Sequence, residues 1–417
     1  MSYLFFFIYL TLFCWLLTRI KFITNTGIEN RILIILFLIR IIAGVINGYI
    51  NLYYYTSTDA TFFHRLGIEE YHLLFNDPKE YFTNLFKYHH QNSGLLDITD
   101  SFWNNLRSDV MIKLLSLFNI FSRGNFFINI IFYNFLIFFG SVSLYKIFIS
   151  LFPEKKAGLI IILFLLPSLL YFTAGVHKDG LIFLGLGISC YYLFLLIKRG
   201  LSIKNFLWLL LGLAIIFLLR NFVLITLFPA IIAWIISEKN RKFILQTYIF
   251  VYLFFILIFF SIGNLLPAFN LPEYVSIRQI AFVQISKASE SAININPLFP
   301  NFRSFLNNAP QAINHSLMRP YLTEKGSLLS IFAAMEIFIY QVLFFLFLLF
   351  RLKNKKTDAF IYFCIFFSVS MFLMIGYTIP IMGAIVRYRS IYLPFILIPI
   401  LFNIDWEKLR KFAQINK

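Results

Sequence analysis

The sequence predicts an all-α fold: a polytopic transmembrane helical bundle of about eleven spans. The chain of 417 residues is 60% hydrophobic, has a mean hydropathy of +0.80, and is only 13% charged. Soluble domains carry about 25% charged residues. A soluble core cannot cover so much apolar surface, whereas a bilayer can. The composition therefore excludes the soluble, fibrous and disordered classes and indicates a single integral membrane domain over residues 1–417.

Apolar runs along the chain define the expected spans in order. A spanning helix needs about 20 apolar residues, and fewer where a neighbouring helix shields it. The runs that meet this requirement are 3–18, 32–53, 125–148, 157–174, 180–197, 205–219, 222–237, 243–262, 329–350, 359–377 and 390–404. The first run lacks a basic N-terminal region and a small-residue cleavage site, so we expect a retained helix there.

Charge sorts the connectors between these runs into two sets. One set, together with the C-terminal tail, is short and carries 20 basic and six acidic residues; the rest of the chain carries 16 and 13. By the positive-inside rule, the first set is cytoplasmic. We therefore expect a multi-pass protein of the cell (inner) membrane with its N-terminus outside and its C-terminus inside. This distribution accounts for most of the net charge of +17 without a nucleic-acid partner.

The outer face then receives two long loops, 54–124 and 263–328, and all six histidines. Apolar residues at three- and four-residue spacing in 61–75 and 110–121 predict helices that lie along the membrane surface. Six prolines in the second loop predict short helices and turns. The cytoplasmic connectors are too short for a nucleotide-binding domain, and no phosphate-binding glycine motif is present. The chemistry is therefore expected on the outer face. Nucleotide donors are not available there, so a transferase on that face would need a lipid-linked donor.

Asp59 is the first candidate for a chemical role because it directly follows the second run, with Phe62, Phe63 and His64 close behind. A carboxylate at the membrane edge with aromatic neighbours could deprotonate an acceptor hydroxyl as a general base. The same Ser-Thr-Asp segment is also typical of a helix N-cap.

A second candidate is the turn GVHKDG at 175–180, which places three ionisable groups between two uncharged helices. His177 or Lys178 could contact a phosphate there. The alternative is a Lys178 side chain that snorkels to the interface beside an ordinary Asp-Gly turn.

Arginines near the spans form the third group of candidates. Arg220 interrupts two apolar runs without an acidic neighbour in sequence, and an arginine at that depth needs a partner or a polar cavity. It could bind a phosphate through two oxygens, or form an internal salt bridge, for which Glu336 is a possible partner. Arg387, Tyr388 and Arg389 end the last outer turn and could hold a diphosphate or glycan, or anchor the chain at the interface.

Three segments together resemble a known superfamily. Residues 59–67, DATFFHRLG, are similar to the D-A-x-x-[YF]-H-x-L-[AG] segment in the first outer loop of the GT-C superfamily. Residues 386–395, VRYRSIYLPF, resemble the last outer turn of the same enzymes. Pro167-Ser168 followed by the 175–180 turn is similar to their P-S-x-x-x-x-[ST]-[SG]-x-x-K-[ED]-[GA] turn. GT-C enzymes are polytopic glycosyltransferases that use polyprenyl-phosphate sugars.

The resemblance implies roles for the matching positions. Asp59 would be the catalytic carboxylate, Lys178 and Arg387 would contact the donor phosphate, and His64 lies within the first motif. The implied partners are a polyprenyl-phosphate-linked sugar donor and membrane lipids, with no nucleic acid. No cofactor is certain, and a divalent cation (Mg²⁺ or Mn²⁺) stays open.

These features support three hypotheses. The first is transfer of a sugar from a polyprenyl-phosphate donor to a lipid-, glycan- or protein-linked acceptor on the outer face. The second is an O-antigen or polysaccharide polymerase or ligase that holds lipid diphosphates with arginines. The third is a flippase or transporter of lipid-linked oligosaccharides, for which internal repeats and broken helices would be expected.

Overall fold

The computed structural model describes residues 2–55, 58–87, 102–287, 289–324, 326–352 and 357–415. These residues form an all-α protein, and among them no β-strand occurs beyond two isolated bridges. The chain divides into two compact units, Met1–Leu224 and Ile225–Lys417. The predicted fold class is thus confirmed.

The first unit contains ten helices and the beginning of an eleventh. They are α1 (Ser2–Leu17), α2 (Lys21–Thr24), α3 (Asn30–Tyr53), α4 (Asp59–Asn76), α5 (Pro78–Lys87), α6 (Phe102–Ser122), α7 (Phe126–Leu151), α8 (Lys156–Ile160), α9 (Pro167–Ala174), α10 (Lys178–Arg199) and α11 (Ile203–Lys239). A π-helical turn, Ile161–Leu165, joins α8 to α9. Helices α1, α3 and α10 pack on α7, and α4 packs on α6.

The second unit takes the end of α11 and eight further helices. They are α12 (Ile244–Leu265), α13 (Leu271–Ser286), α14 (Phe302–Ile313), α15 (Leu328–Leu349), α16 (Ala359–Thr378), α17 (Met382–Ser390), α18 (Leu393–Phe402) and α19 (Trp406–Ile415). Helix α16 is central, because α12, α13, α14, α17 and α18 all contact it. A π-helical turn, Asn314–Met318, continues α14.

Seven of the described helices are long and apolar enough to cross a membrane: α3, α7, α10, α11, α12, α15 and α16. Two bent pairs raise the number to nine if each pair is one span. Helix α8 and its π-helical turn meet α9 at 44°, and α17 meets α18 at 64°. The chain is therefore a multi-pass membrane protein by the length and composition of its helices.

The expected eleven spans become seven to nine for two physical reasons. The runs 205–219 and 222–237 are both helical, and they are counted together as α11 because the two helices meet at a kink at Arg220 with no loop between them. The first run forms α1, a helix of 16 residues that is shorter than the spans. Hydropathy locates apolar residues but does not show whether two adjacent runs are joined by a loop or by a kink.

Polar residues at the ends of apolar segments explain where several spans begin. Asn125 accepts a hydrogen bond from the Ile128 N–H at the start of α7, and Asp358 accepts one from the Phe360 N–H at the start of α16. Ser327 does the same for α15. Such caps satisfy N–H groups that have no partner within the helix.

Both predicted outer loops contain helices. The stretches 61–75 and 110–121 lie within α4 and α6, and 263–328 contains α13, α14 and short turns. Residues 56–57 and 88–101 of the first loop, with His89 and His90, lie outside the described residues. The position of these helices along a membrane surface stays a prediction, as does the single membrane domain.

Candidate functional site

Helix α4 begins at Asp59, and Thr58 supplies its N-cap. The Thr58 Oγ1 accepts from the Thr61 N–H at 3.3 Å, and the Thr61 Oγ1 accepts from the Thr58 N–H at 3.1 Å. This reciprocal pair is a capping box. The cap predicted for this segment therefore exists, but Thr58 and not Asp59 provides it. The Asp59 side chain is exposed at the first helical position, where the helix dipole favours a carboxylate.

Helix α4 brings the Asp59 segment to the 175–180 turn. Phe63, one helical turn after Asp59, is buried, and its ring centroid lies 5.0 Å from the Lys178 ammonium. The Lys178 Nζ also lies 3.2 Å from the Ser108 Oγ on α6. Two of the three segments that carry the family resemblance thus meet in the first unit.

His64 neighbours this contact and is partly buried. Its ring packs edge-to-face on Phe126 at 5.0 Å between centroids. Its buried Nδ1 makes no hydrogen bond to any residue of the described segments. Burial lowers the pKa of His64 below its ordinary value of 6.5, so the imidazole is neutral at pH 7 and can serve as an acceptor.

The 175–180 turn is buried. Val176, His177 and Asp179 are each at most 5% exposed. The His177 carbonyl accepts a hydrogen bond from the Tyr133 hydroxyl. A Cβ at Gly180 would lie 2.7 Å from the Thr173 carbonyl oxygen, so only glycine fits there. His177 is therefore a packed residue of the turn, at the N-cap position of α10.

Polar side chains from α3 and α7 hold the end of α9 just before this turn. Arg40 donates through Nη2 to the carbonyl oxygen and to the Oγ1 of Thr173, both at 2.9 Å. Asn134 donates to the Ala174 carbonyl at 2.8 Å. A buried helix end needs such donors, because its last carbonyl groups have no partner within the helix. Sequence reasoning missed this role, although a buried arginine in an apolar run was its visible signal.

Arg220 pairs with the turn itself. Its Nη2 lies 2.7 Å from Asp179 Oδ1, and the two side chains are 8% and 0% exposed. The sequence had suggested Glu336 as the partner. The structure assigns an internal salt bridge to Arg220, with Asp179 of the neighbouring motif as its carboxylate. Glu336 belongs to the second unit, where it accepts a hydrogen bond from the Tyr340 hydroxyl.

Arg387, Tyr388 and Arg389 lie in α17 of the second unit. The Arg387 guanidinium carbon lies 5.9 Å from the ring centroid of Tyr388, and both side chains are half-buried. Arg389 is 1% exposed and donates through Nη1 to the carbonyl oxygens of Ser316 and Arg319. Arg389 thus binds the chain's own backbone, which argues against a direct contact with a ligand. The ligand roles of Arg387 and Tyr388 stay predictions.

The described residues contain no group of three or more His, Cys, Asp or Glu side chains that could hold a metal ion. The use of Mg²⁺ or Mn²⁺ stays an open prediction.

Comparison with known proteins gives no relative for this arrangement: no family model matches the chain, and neither a curated protein nor a solved structure is significantly similar to it.

Proposed function

We propose that the chain is a membrane glycosyltransferase that moves a sugar from a polyprenyl-phosphate donor to an acceptor on the outer face of the cell membrane. One observation carries this proposal: the Lys178 ammonium lies 5.0 Å from the ring of Phe63, one turn after Asp59 in α4. A carboxylate can act as a general base and an ammonium group can stabilise a departing phosphate, and here the two groups lie on contacting elements.

The proposed reaction is a displacement at the anomeric carbon of the donor sugar. The acceptor oxygen forms a bond to this carbon while Asp59 takes the acceptor proton as general base. The bond between the anomeric carbon and the phosphate oxygen breaks, and its electron pair leaves with the polyprenyl phosphate. Lys178 stabilises the negative charge that develops on that phosphate.

A glycan profile tests the proposal. Lipid-linked intermediates and outer-face glycans are compared by mass spectrometry in cells that lack the gene and in cells rescued with wild type, Asp59→Asn or Glu69→Gln. Glu69 is the matched control, since it is an exposed carboxylate farther along α4. We expect wild type and Glu69→Gln to restore one missing sugar, and Asp59→Asn to reduce transfer by about 10²–10⁴-fold.

Two results would contradict the proposal. If Asp59→Asn restored the missing sugar fully, Asp59 would not be the general base. Loss of long repeat-unit ladders with single units retained would instead identify the polymerase or ligase.

The broken helices favour a second candidate, a flippase of lipid-linked oligosaccharides. One bent pair lies in each unit, α8–α9 at 44° and α17–α18 at 64°, and transporters commonly use discontinuous spanning helices. For a flippase, the lipid-linked glycan should accumulate unaltered on the inner leaflet when the gene is absent. Asp59→Asn should then matter no more than Glu69→Gln.

A further inference from the structure

We propose that Asp179 and Arg220 are positioning residues that fix Lys178 in the place where the donor phosphate binds; this inference rests on the proposed transferase function. The sequence alone allows Arg220 to be a phosphate ligand. Its guanidinium lies instead 2.7 Å from a carboxylate that is 0% exposed. We infer that the ion pair acts on the donor phosphate only through Lys178, which is the first residue of α10 and the sequence neighbour of Asp179.

A break in α11 allows this pairing. Arg220 has φ −151° and ψ 79° inside an otherwise helical segment, and its side chain reaches the first turn of α10. Asp179 is the second residue of that helix. Holding Asp179 therefore fixes the helix end from which the Lys178 side chain extends.

Helix α6 completes the arrangement through two consecutive residues. Ser108 lies against Lys178, with its Oγ 3.2 Å from the Nζ. Arg107 donates through Nη2 to the Asn221 Oδ1 at 2.7 Å. Helix α6 thus contacts Lys178 and Asn221. These two residues are the sequence neighbours of Asp179 and Arg220. Helices α6, α10 and α11 thus contact one another around Lys178, whose ammonium also lies 5.0 Å from the Phe63 ring of α4.

The contacts around Lys178 depend on the charges of both Asp179 and Arg220. A buried ion pair that loses one member leaves an uncompensated charge in an apolar region. The structure then relaxes toward water or toward another partner. Neutralising either residue should therefore release the end of α10 and with it the Lys178 side chain.

The reactivity of the Lys178 amine reports its placement without any ligand. The full-length protein in detergent is treated with limiting acetic anhydride, and mass spectrometry compares the acetylation of Lys178 with that of Lys79. Lys79 is an exposed lysine of α5 and serves as the internal reference. We expect both Asp179→Asn and Arg220→Gln to raise the relative reactivity of Lys178 several-fold.

The sign of the two changes separates positioning from simple electrostatics. If the pair acted only through its charges, losing the carboxylate would favour the reactive neutral amine, and losing the guanidinium would disfavour it. The inference would be overturned if the reactivity of Lys178 changed in opposite directions in the two variants, or if it stayed at the wild-type level in one or both of them. An increase in both variants supports it.

Two further variants guard against loss of folding. Arg220→Lys keeps the charge and should leave Lys178 closer to its wild-type reactivity than Arg220→Gln does. Glu324→Gln is the matched control, because it removes a carboxylate that pairs with Arg319 at 2.7 Å in the second unit. It should weaken the protein without changing the reactivity of Lys178.

The glycan profile of Lys178→Ala separates this inference from the proposed function. If labelling changes as expected but Lys178→Ala restores the missing sugar fully, the positioning holds and the proposed phosphate contact fails. If Lys178→Ala abolishes transfer while labelling is unaffected by the ion pair, the transferase stands and the positioning role is lost.

Discussion

Three arginines are buried in helices of the described part of the chain, and each is held by a different kind of partner. Arg40 donates to a carbonyl and a hydroxyl of Thr173, Arg220 pairs with Asp179, and Arg389 donates to two backbone carbonyls. A guanidinium keeps its charge when buried, so it must find acceptors within the protein. An arginine in an apolar run therefore indicates a structural partner as readily as a ligand.

His64 should make the protein sensitive to acid. Burial lowers the pKa of His64 below 6.5, so the folded state holds a neutral imidazole while the unfolded state takes up a proton as pH falls. Stability is therefore full above about pH 6.5 and decreases below it. We expect the thermal unfolding midpoint in detergent to fall between pH 7.5 and pH 5, and to fall less in His64→Phe, which keeps the ring contact with Phe126.

His72→Gln is the control for this measurement, because His72 is exposed on the same helix. His315 in the second unit also has a pKa lowered by burial and by Arg319. His64→Phe should therefore flatten the pH profile without abolishing it. An unchanged profile in His64→Phe would mean that His64 does not contribute to the acid sensitivity.

Among the elements, the sequence predicted the apolar helices well and their bends only in part. Hydropathy located the spans, apolar spacing correctly placed helices at 61–75 and 110–121, and the prolines of the second loop predicted its short helices and turns. The break at Arg220 falls between the runs 205–219 and 222–237, as the sequence predicted, whereas the 64° bend between α17 and α18 was not predicted. A local hydropathy pattern does not give the angle between two helices.

Close packing between α14 and α16 gives a prediction at the scale of elements. A Cβ at Gly376 would overlap the carbonyl oxygen of Ala312, so the two helix backbones would have to separate. We expect Gly376→Ala to destabilise the protein by about 1–3 kcal/mol, as overpacking does, in unfolding measurements in detergent.

Gly383→Ala is the matched control, since the nearest atom to its Cβ would be Ser291 Oγ at 3.7 Å. This variant should unfold like wild type. Equal stability of the two variants would show that α14 and α16 do not approach as closely as described.

At the scale of the whole molecule, the sequence predicted which residues matter better than how they pair. It selected Asp59, Lys178 and Arg220, and the structure places all three in the first unit. It missed that Asp179 is the partner of Arg220 and that Ser108 contacts Lys178. These pairs join segments far apart in the chain, and a single sequence contains no signal that connects them.

The orientation in the membrane provides the last prediction, because the proposed chemistry requires both long loops to lie outside. The charge distribution predicts an outer N-terminus and a cytoplasmic C-terminus. We expect alkaline phosphatase to be active when fused after residue 76 or residue 313, at the ends of α4 and α14. Green fluorescent protein fused after residue 417 should fluoresce, since it folds in the cytoplasm. The opposite pattern would place Asp59 and Lys178 on the side where nucleotide sugars occur, and the requirement for a lipid-linked donor would disappear.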